Sequence, residues 1–368
     1  MMKPFLSCVL LAAAGLVRAE PTATVVSFGQ AEDRTVTVGY ALSGGPAVVT
    51  VDFQTNGVSV GGANLRDLSG DVNRLVTGES GTIVWRPSLD ALADPSATVT
   101  AKVSAWPTSE PPPYMTVSLV ADPIERVRYY PSAESLPGGL LENADYRTMT
   151  LVLRKIPAKG VSWKMGKDAQ TQSAWGANYY MGVFETTQAQ WAMVMGDGAT
   201  NATFKVGGGM RPMENMFYSE WAVGDDSFLS RLNALTGQSF RLPTEAEWEY
   251  ACRAGYANGY FNEGSVKNAD NALKVARHSA NSGGHVTDTS ARPDKATAIV
   301  GSYAPSAWGL YDMIGNVWEY TSTIYSGSTH VRKGGSHDQK ASTLDLYDRY
   351  DDTVSRSAFT GARVLLPL

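Results

Sequence analysis

The sequence predicts an α+β protein in two unlike parts: an N-terminal β-sandwich of immunoglobulin or fibronectin type, then a domain mixing short strands with short, capped helices. Three observations predict it. Residues 23–106 alternate apolar and polar positions with a period of two, punctuated by Gly, Asn and Asp, as short strands joined by turns do. Thr108-Ser-Glu-Pro-Pro-Pro-Tyr114 favours extended polyproline geometry and marks a domain boundary. From residue 148 onward, strand-like runs are interleaved with helix candidates that carry their own caps. The expected boundaries are a sandwich at 20–106, a Pro-rich linker and lead-in at 107–147, and a second domain at 148–368.

Residues 1–19 combine a basic Lys3, an apolar run from Phe5 to Val17 and small side chains at Val17 and Ala19, the pattern of a secretory signal peptide cut after Ala19. The apolar run is shorter than the ~18 residues a span requires. The expectation is an exported protein, periplasmic, cell-surface or secreted, with no membrane span. Loss of Lys3 and Arg18 takes the formal charge from −5 to −7. An acidic chain without a basic block is unsuited to nucleic acid or an anionic membrane surface. Cys8 leaves with the signal peptide, so Cys252 stands alone and no intramolecular disulfide is expected.

In the first domain, Val36, Val38, Tyr40 and Leu42 alternate with small or polar residues, Ser43-Gly-Gly-Pro46 makes a turn, and Val49, Val51 and Phe53 alternate again. This predicts a hairpin. Thr82–Trp85 and Ala97–Trp106 are further strands. With no His, no Cys and only scattered acids, the domain is expected to be a spacer.

In the second domain, Met149–Ile156 and Tyr179–Glu185 are expected as strands, and Thr186 or Thr187 caps a helix running to Met195. A further helix starts near Ser219, breaks at Gly224, and ends near Leu235 before Gly237. Arg241-Leu-Pro-Thr-Glu-Ala-Glu-Trp-Glu-Tyr-Ala-Cys-Arg-Ala-Gly255 carries the strongest local signal. Thr244 and Glu247 form a capping box, Glu245, Glu247 and Glu249 sit near the positive end of the dipole, and Gly255 supplies a left-handed stop. Cys252 lies on the Trp248 face and is expected as a small core residue. From Gly255 to Thr297 periodicity is weak, which predicts an irregular surface loop.

Six runs occur in a recognisable order: Trp163-Lys-Met-Gly166, Glu185-Thr-Thr-Gln-Ala-Gln-Trp191, Arg211-Pro-Met-Glu-Asn215, Arg241–Tyr250, Gly309-Leu-Tyr-Asp-Met-Ile-Gly-Asn-Val-Trp-Glu-Tyr320 and Lys333-Gly-Gly-Ser336. Over about 148–366 the chain resembles the formylglycine-generating-enzyme, or sulfatase-modifying-factor, family. The resemblance implies a compact, C-type-lectin-related domain with little regular secondary structure. Its best-known members oxidise a sulfatase cysteine to formylglycine with molecular oxygen and a copper ion held by two thiolates. Other branches include iron-dependent sulfoxide synthases, periplasmic pyoverdine-maturation proteins and diversified ligand-binding proteins. One fold hosts both catalysis and display.

The resemblance places the two thiolates three and eight residues after the serine of the Gly-Gly-Ser motif. Here those positions are Gln339 and Leu344, which cannot replace soft copper ligands. The implied pocket is Trp318, Ser336, His337, Gln339 and Leu344, with no confident catalytic residue. The resemblance also implies a calcium site, with side chains of Asp312 and Glu319 and backbone oxygens of Gly315 and Val317, the hard donors this cation prefers. A second calcium site would use Asn281, with Asp288 or Asp294 replacing the acid where Arg292 stands. His278 and His285 are expected as exposed loop residues, His330 carries no metal spacing, and His337 is the histidine nearest a ligand. Arg349, Arg356 and Arg363 are expected to pair with Asp348, Asp351 or Asp352. Tyr347 and Tyr350 suit an outward-facing, adaptable surface. The expected function is a protein- or small-molecule-binding module without copper chemistry. The alternatives are a tailoring or maturation enzyme of different mechanism, or formylglycine generation on sulfatases.

Overall fold

The computed structural model describes residues 19–368 apart from 89–97, 197, 206, 208, 257–259, 262–263, 283–295 and 352–354. Residues 1–18 of the expected signal peptide lie outside the described residues. No helix among the described residues is long and apolar enough to cross a membrane.

The first unit is built of strands, and along Val36–Ser43 buried residues alternate with exposed or half-buried ones. The strands are β1 (Thr22–Gln30), β2 (Val36–Ser43), β3 (Ala47–Thr55), β4 (Val58–Ser59), β5 (Leu68–Gly70), β6 (Arg74–Val76), β7 (Ser80–Trp85) and β8 (Val99–Pro107). One sheet runs β1-β2-β7-β5; in the other, β3 pairs with β8 on one edge and with β4 and β6 on the other. Val36, Val38, Tyr40, Phe53 and Trp85 share one core between them. The expected hairpin is corrected: β2 pairs with β1 and β7, not with β3. Both strands bury a face in the same core, so they belong to opposite sheets. Gly44 (φ 82°) and Gly45 (φ 101°) let the chain cross between them.

The second unit begins earlier than expected. β9 (Tyr114–Ser118) and β10 (Val127–Tyr130) join β11 (Thr150–Ile156), then β12 (Trp163–Met165) and β13 (Gln170–Gln172) form a separate ribbon, and β14 (Tyr179–Gly182) returns beside β11. Residues 107–147, expected as a Pro-rich linker and lead-in, carry β9 and β10, and the Pro run is tied to the sheet. The carbonyls of Pro111 and Pro112 accept hydrogen bonds from Lys155 Nζ and Tyr180 Oη, and that of Pro113 accepts the Lys155 N–H at 2.7 Å. A proline run offers unpaired acceptors, and here buried donors of the sheet take them up.

Four helices follow: α1 (Gln188–Met195), α2 (Tyr218–Ala222), α3 (Phe228–Thr236) and α4 (Glu245–Arg253). The supposed irregular loop after α4 contains β15 (Tyr260–Phe261), β16 (Gly264–Ser265) and α5 (Ala269–Val275), whose cap Asn268 accepts from Asp270 and Asn271 N–H. The closing strands are β17 (Trp318–Ser326), β18 (Thr329–Lys333), β19 (Tyr350–Asp351), β20 (Thr360–Gly361) and β21 (Leu365–Pro367). They complete two sheets, β10-β9-β11-β14-β21 and β19-β18-β17-β20. The unit is mostly sheet with few, short helices.

α4 sits between the two sheets. Its capping box is formed as the sequence predicts, but the left-handed residue that closes it is Ala254 (φ 49°), one residue before Gly255. Glu245, Glu247 and Glu249 are all buried, and each is matched by a cation: Arg349 at 3.1 Å, Arg241 at 2.6 Å and Arg253 at 2.7 Å. Lys333, fully buried at the end of β18, reaches Glu249 at 3.1 Å and so ties α4 to the turn that follows.

Candidate functional site

The turn after β18 is built on Gly334 (φ 94°) and Gly335 (φ 84°). A Cβ on Gly335 would stand 2.6 Å from both Gln339 Oε1 and Leu344 Cδ2, so the bare glycine is what lets these two side chains close over the turn. Gln339 Oε1 accepts the Ser336 N–H at 3.1 Å, and Ser336 Oγ donates to Asp338 at 2.5 Å. Leu344 is fully buried among Trp248, Cys252, Met313 and Leu346. The two positions expected to differ from thiolate ligands thus carry a turn-bracing amide and a core side chain.

His337 is buried. The carbonyl of Asn316 lies 3.0 Å from its Nδ1 and accepts its N–H at 2.8 Å. Phe204 packs edge-on against its ring at 5.0 Å and Phe359 at 5.4 Å. Trp318 is largely covered, with Tyr350 at 4.9 Å and the Arg332 guanidinium over its ring at 5.7 Å. Tyr350 beside them is 47% exposed; farther along β17, Ile324 (61%) and Tyr325 (45%) are exposed too, the last under the guanidinium of Arg349.

Beneath this face lies a cluster of acids. Glu185, Asp312 and Glu319 are all buried around Arg363, and the buried Lys333, bonded to Glu249, is the cross-strand partner of Glu319. Arg363 donates to Glu319 at 2.6 to 2.9 Å, and Glu319 also accepts the Trp248 indole N–H at 2.7 Å. Glu185 accepts Asn316 Nδ2 at 2.5 Å and the Val317 N–H at 3.2 Å. Asp312 Oδ2 accepts the Gly301 N–H at 2.6 Å, while its Oδ1 is buried without a partner. Burial, then the neighbouring Asp312 and Glu319, hold the Glu185 carboxyl well above the usual range, and burial pushes Asp312 up to about 6. Three acids around one guanidinium leave the cluster short of positive charge.

The description "Sulfatase-modifying factor enzyme 1-like domain" matches residues 142–367, more than half of the chain. The chain belongs to this family. The formylglycine-generating enzyme of Bos taurus is 38% identical over 117 residues, 26% of this chain and 30% of that relative, so the chain spans less than a third of that relative's length. The inactive Cα-formylglycine-generating enzyme 2 of Bos taurus is 33% identical over 89 residues, 24% of this chain and 28% of the relative. The chaperone protein LppX of Paenibacillus barcinonensis is 26% identical over 211 residues, 46% of this chain and 73% of the relative.

Within the sulfatase-modifying-factor domain several expectations need correction. His278 is buried, not exposed, because the 276–282 turn docks on the Gly-Gly-Ser turn: Ser279 N–H donates to the Gln339 carbonyl at 2.8 Å and Ser282 Oγ to that of His337 at 2.6 Å. Asn281 is spent on the same turn, accepting the His278 N–H and donating to the Ala276 carbonyl. Its supposed calcium partners Asp288 and Asp294, with Arg292 and His285, lie outside the described residues. Among the described residues the closing arginines pair not with Asp348 or Asp351 but with distant glutamates: Arg349 with Glu245, Arg356 with Glu220 and Arg363 with Glu319, while Asp352 lies outside the described residues. Short-range spacing could not reveal partners supplied by other segments. Cys252 is a core thiol, and burial pushes it far above the usual range. Glu185 and Glu214, both fully buried, are acids the sequence reasoning did not single out.

Proposed function

We propose that the sulfatase-modifying-factor domain of this exported chain is a binding module that does not carry out copper-dependent cysteine oxidation. The observation that carries the reading is the use made of Gln339 and Leu344: one braces the Gly-Gly-Ser turn and the other fills the core. Monovalent copper is held by soft thiolates, and an amide and an alkyl chain offer none. Cys252, sealed in the core with its proton held firmly, does not substitute. Family membership is compatible with this, since one relative is described as inactive and another as a chaperone.

The binding face in this reading is the exposed Tyr350 with Arg332 against Trp318, near the turn that carries Ser336 and His337, continued along the same sheet by the exposed Ile324 and by Tyr325 with Arg349. Rigid aromatic rings and arginine are the residues that anchor protein interfaces. The expected ligand is a protein segment. Calcium is proposed as a structural cation beneath this face. The orphaned Asp312 Oδ1 fits it, as do the hard carbonyls of Gly315 and Val317. Glu319 fits less well, because Arg363 and Trp248 occupy its oxygens. Bound there, the ion would supply positive charge to the acid cluster. The N-terminal sheets are proposed to be an immunoglobulin- or fibronectin-like spacer that carries this face away from the point of export.

The test is incubation of the purified protein with a sulfatase-motif cysteine peptide, copper and oxygen, followed by mass spectrometry. The peptide is expected to keep its thiol. Conversion to the aldehyde overturns the reading.

A further inference from the structure

Glu214 is a buried carboxyl that neither the binding face nor the acid cluster uses. One of its oxygens accepts two consecutive backbone N–H groups, from Thr203 at 2.5 Å and Phe204 at 3.0 Å. The other oxygen is buried without a partner. Gln188 holds the opposite side of Phe204, donating from Nε2 to its carbonyl at 2.8 Å and to that of Pro212 at 3.3 Å. Both backbone polar groups of Phe204 are therefore pinned by side chains from two separate motifs. The Phe204 ring in turn stands at 88° to His337.

We infer that Glu214 is a proton-operated latch: while its carboxyl is neutral the 201–204 loop stays closed with Phe204 against His337, and ionisation releases it. A carboxylate shut from water is costlier than the same group in solvent, and two N–H donors to one oxygen offset only part of that cost. Burial pushes Glu214 up to about 7, against the smaller downward pulls of the Phe204 and Thr203 bonds and of Lys205. In an open loop the carboxyl returns to an ordinary value near 4.5. The closed form thus binds its proton more tightly. Closure is favoured at low pH and weakens as pH rises from the open-loop value to the closed-loop one, by at most ~300-fold in the opening constant.

The charged and titratable groups around the latch are few. Lys205 lies on the loop itself, Arg211 on the Glu214 segment faces Arg277, Gln188 on α1 is neutral, and His337 stands beyond Phe204. Any consequence for a ligand rests on the binding reading above; the latch itself does not.

The latch is tested on the full chain without ligand, by amide hydrogen exchange between pH 5 and 8 corrected for the intrinsic rate. Protection of the Thr203 and Phe204 amides is expected to fall roughly 100-fold across that range, by more than any fall at the α4 amides. In Glu214→Gln, uncharged but of the same shape, the two amides are expected to stay protected throughout. A flat profile in the wild-type protein overturns the latch, as does an unchanged slope in the variant. Should the variant not fold, ¹³C titration of the Glu214 carboxyl in the wild-type protein decides, and an ordinary value near 4.5 overturns the inference.

Discussion

Replacing Arg363 by methionine tests the charge arrangement under the binding face. Arg363 is fully buried; its Nη1 donates to the carbonyls of Gly182 at 3.0 Å and Val183 at 3.3 Å, its Nη2 to that of Tyr311 at 2.9 Å, and both Nε and Nη2 to Glu319. Methionine keeps an apolar stem but no charge and no donors. Removing one partner of a buried ion pair costs about 3–5 kcal/mol, and a carbonyl left dry adds on the order of 1 kcal/mol. A loss of about 4 kcal/mol or more at pH 8 is a large share of ordinary domain stability. Its pH dependence follows from the cluster. The folded-state values of Glu185 and Asp312 are raised, so their favourable contribution is present at low pH and is lost as pH rises through those values. Arg363 pulls both downward, so its removal raises them further, and the loss should be larger at pH 8 than at pH 5. Denaturant unfolding followed by tryptophan fluorescence at both pH values measures it. A loss under about 1 kcal/mol, no more than an exposed surface pair contributes, or equal losses at both pH values, would refute the reasoning. Adding Glu319→Gln, which keeps an acceptor for the Trp248 indole, should restore part of the stability.

Two further outcomes are expected. Calcium should raise the melting temperature and a chelator lower it, with Asp312→Asn abolishing the response; identical melting curves with and without the ion would remove calcium from the account. Cys252 should resist thiol reagents in the native protein and react only in denaturant, because burial both blocks it and holds it protonated; rapid native labelling would contradict the packing around α4.

What was legible in the sequence was local. The caps at Thr187 and Thr244, the break between α2 and α3, and the stop at Gly237 each depend on a few adjacent residues, and each is found where the sequence places it. Pairing between distant segments was not legible. Nothing in the alternation of β2 and β3 says that they face each other across a core instead of lying side by side. Nothing in the spacing of Arg356 and Arg363 points to Glu220 and Glu319, because those contacts exist only once the sheets are formed. The family's motifs, by contrast, led directly to the Gly-Gly-Ser turn. They could not show that its histidine is enclosed, since burial is a property of what packs around it.

The seam between the two units has a mechanical consequence. The Tyr129 N–H on the outer strand of the five-stranded sheet donates to the Asn73 carbonyl at 2.8 Å, Arg128 reaches the Val72 carbonyl at 3.0 Å, and the Gly138 N–H donates to the Gly62 carbonyl at 3.0 Å. Strand edges joined in this way resist shear. A pull on the N-terminal end is carried through the bonded edge into the five-stranded sheet. The aromatic face is thereby given a fixed heading relative to that end, as a blade is by its shank.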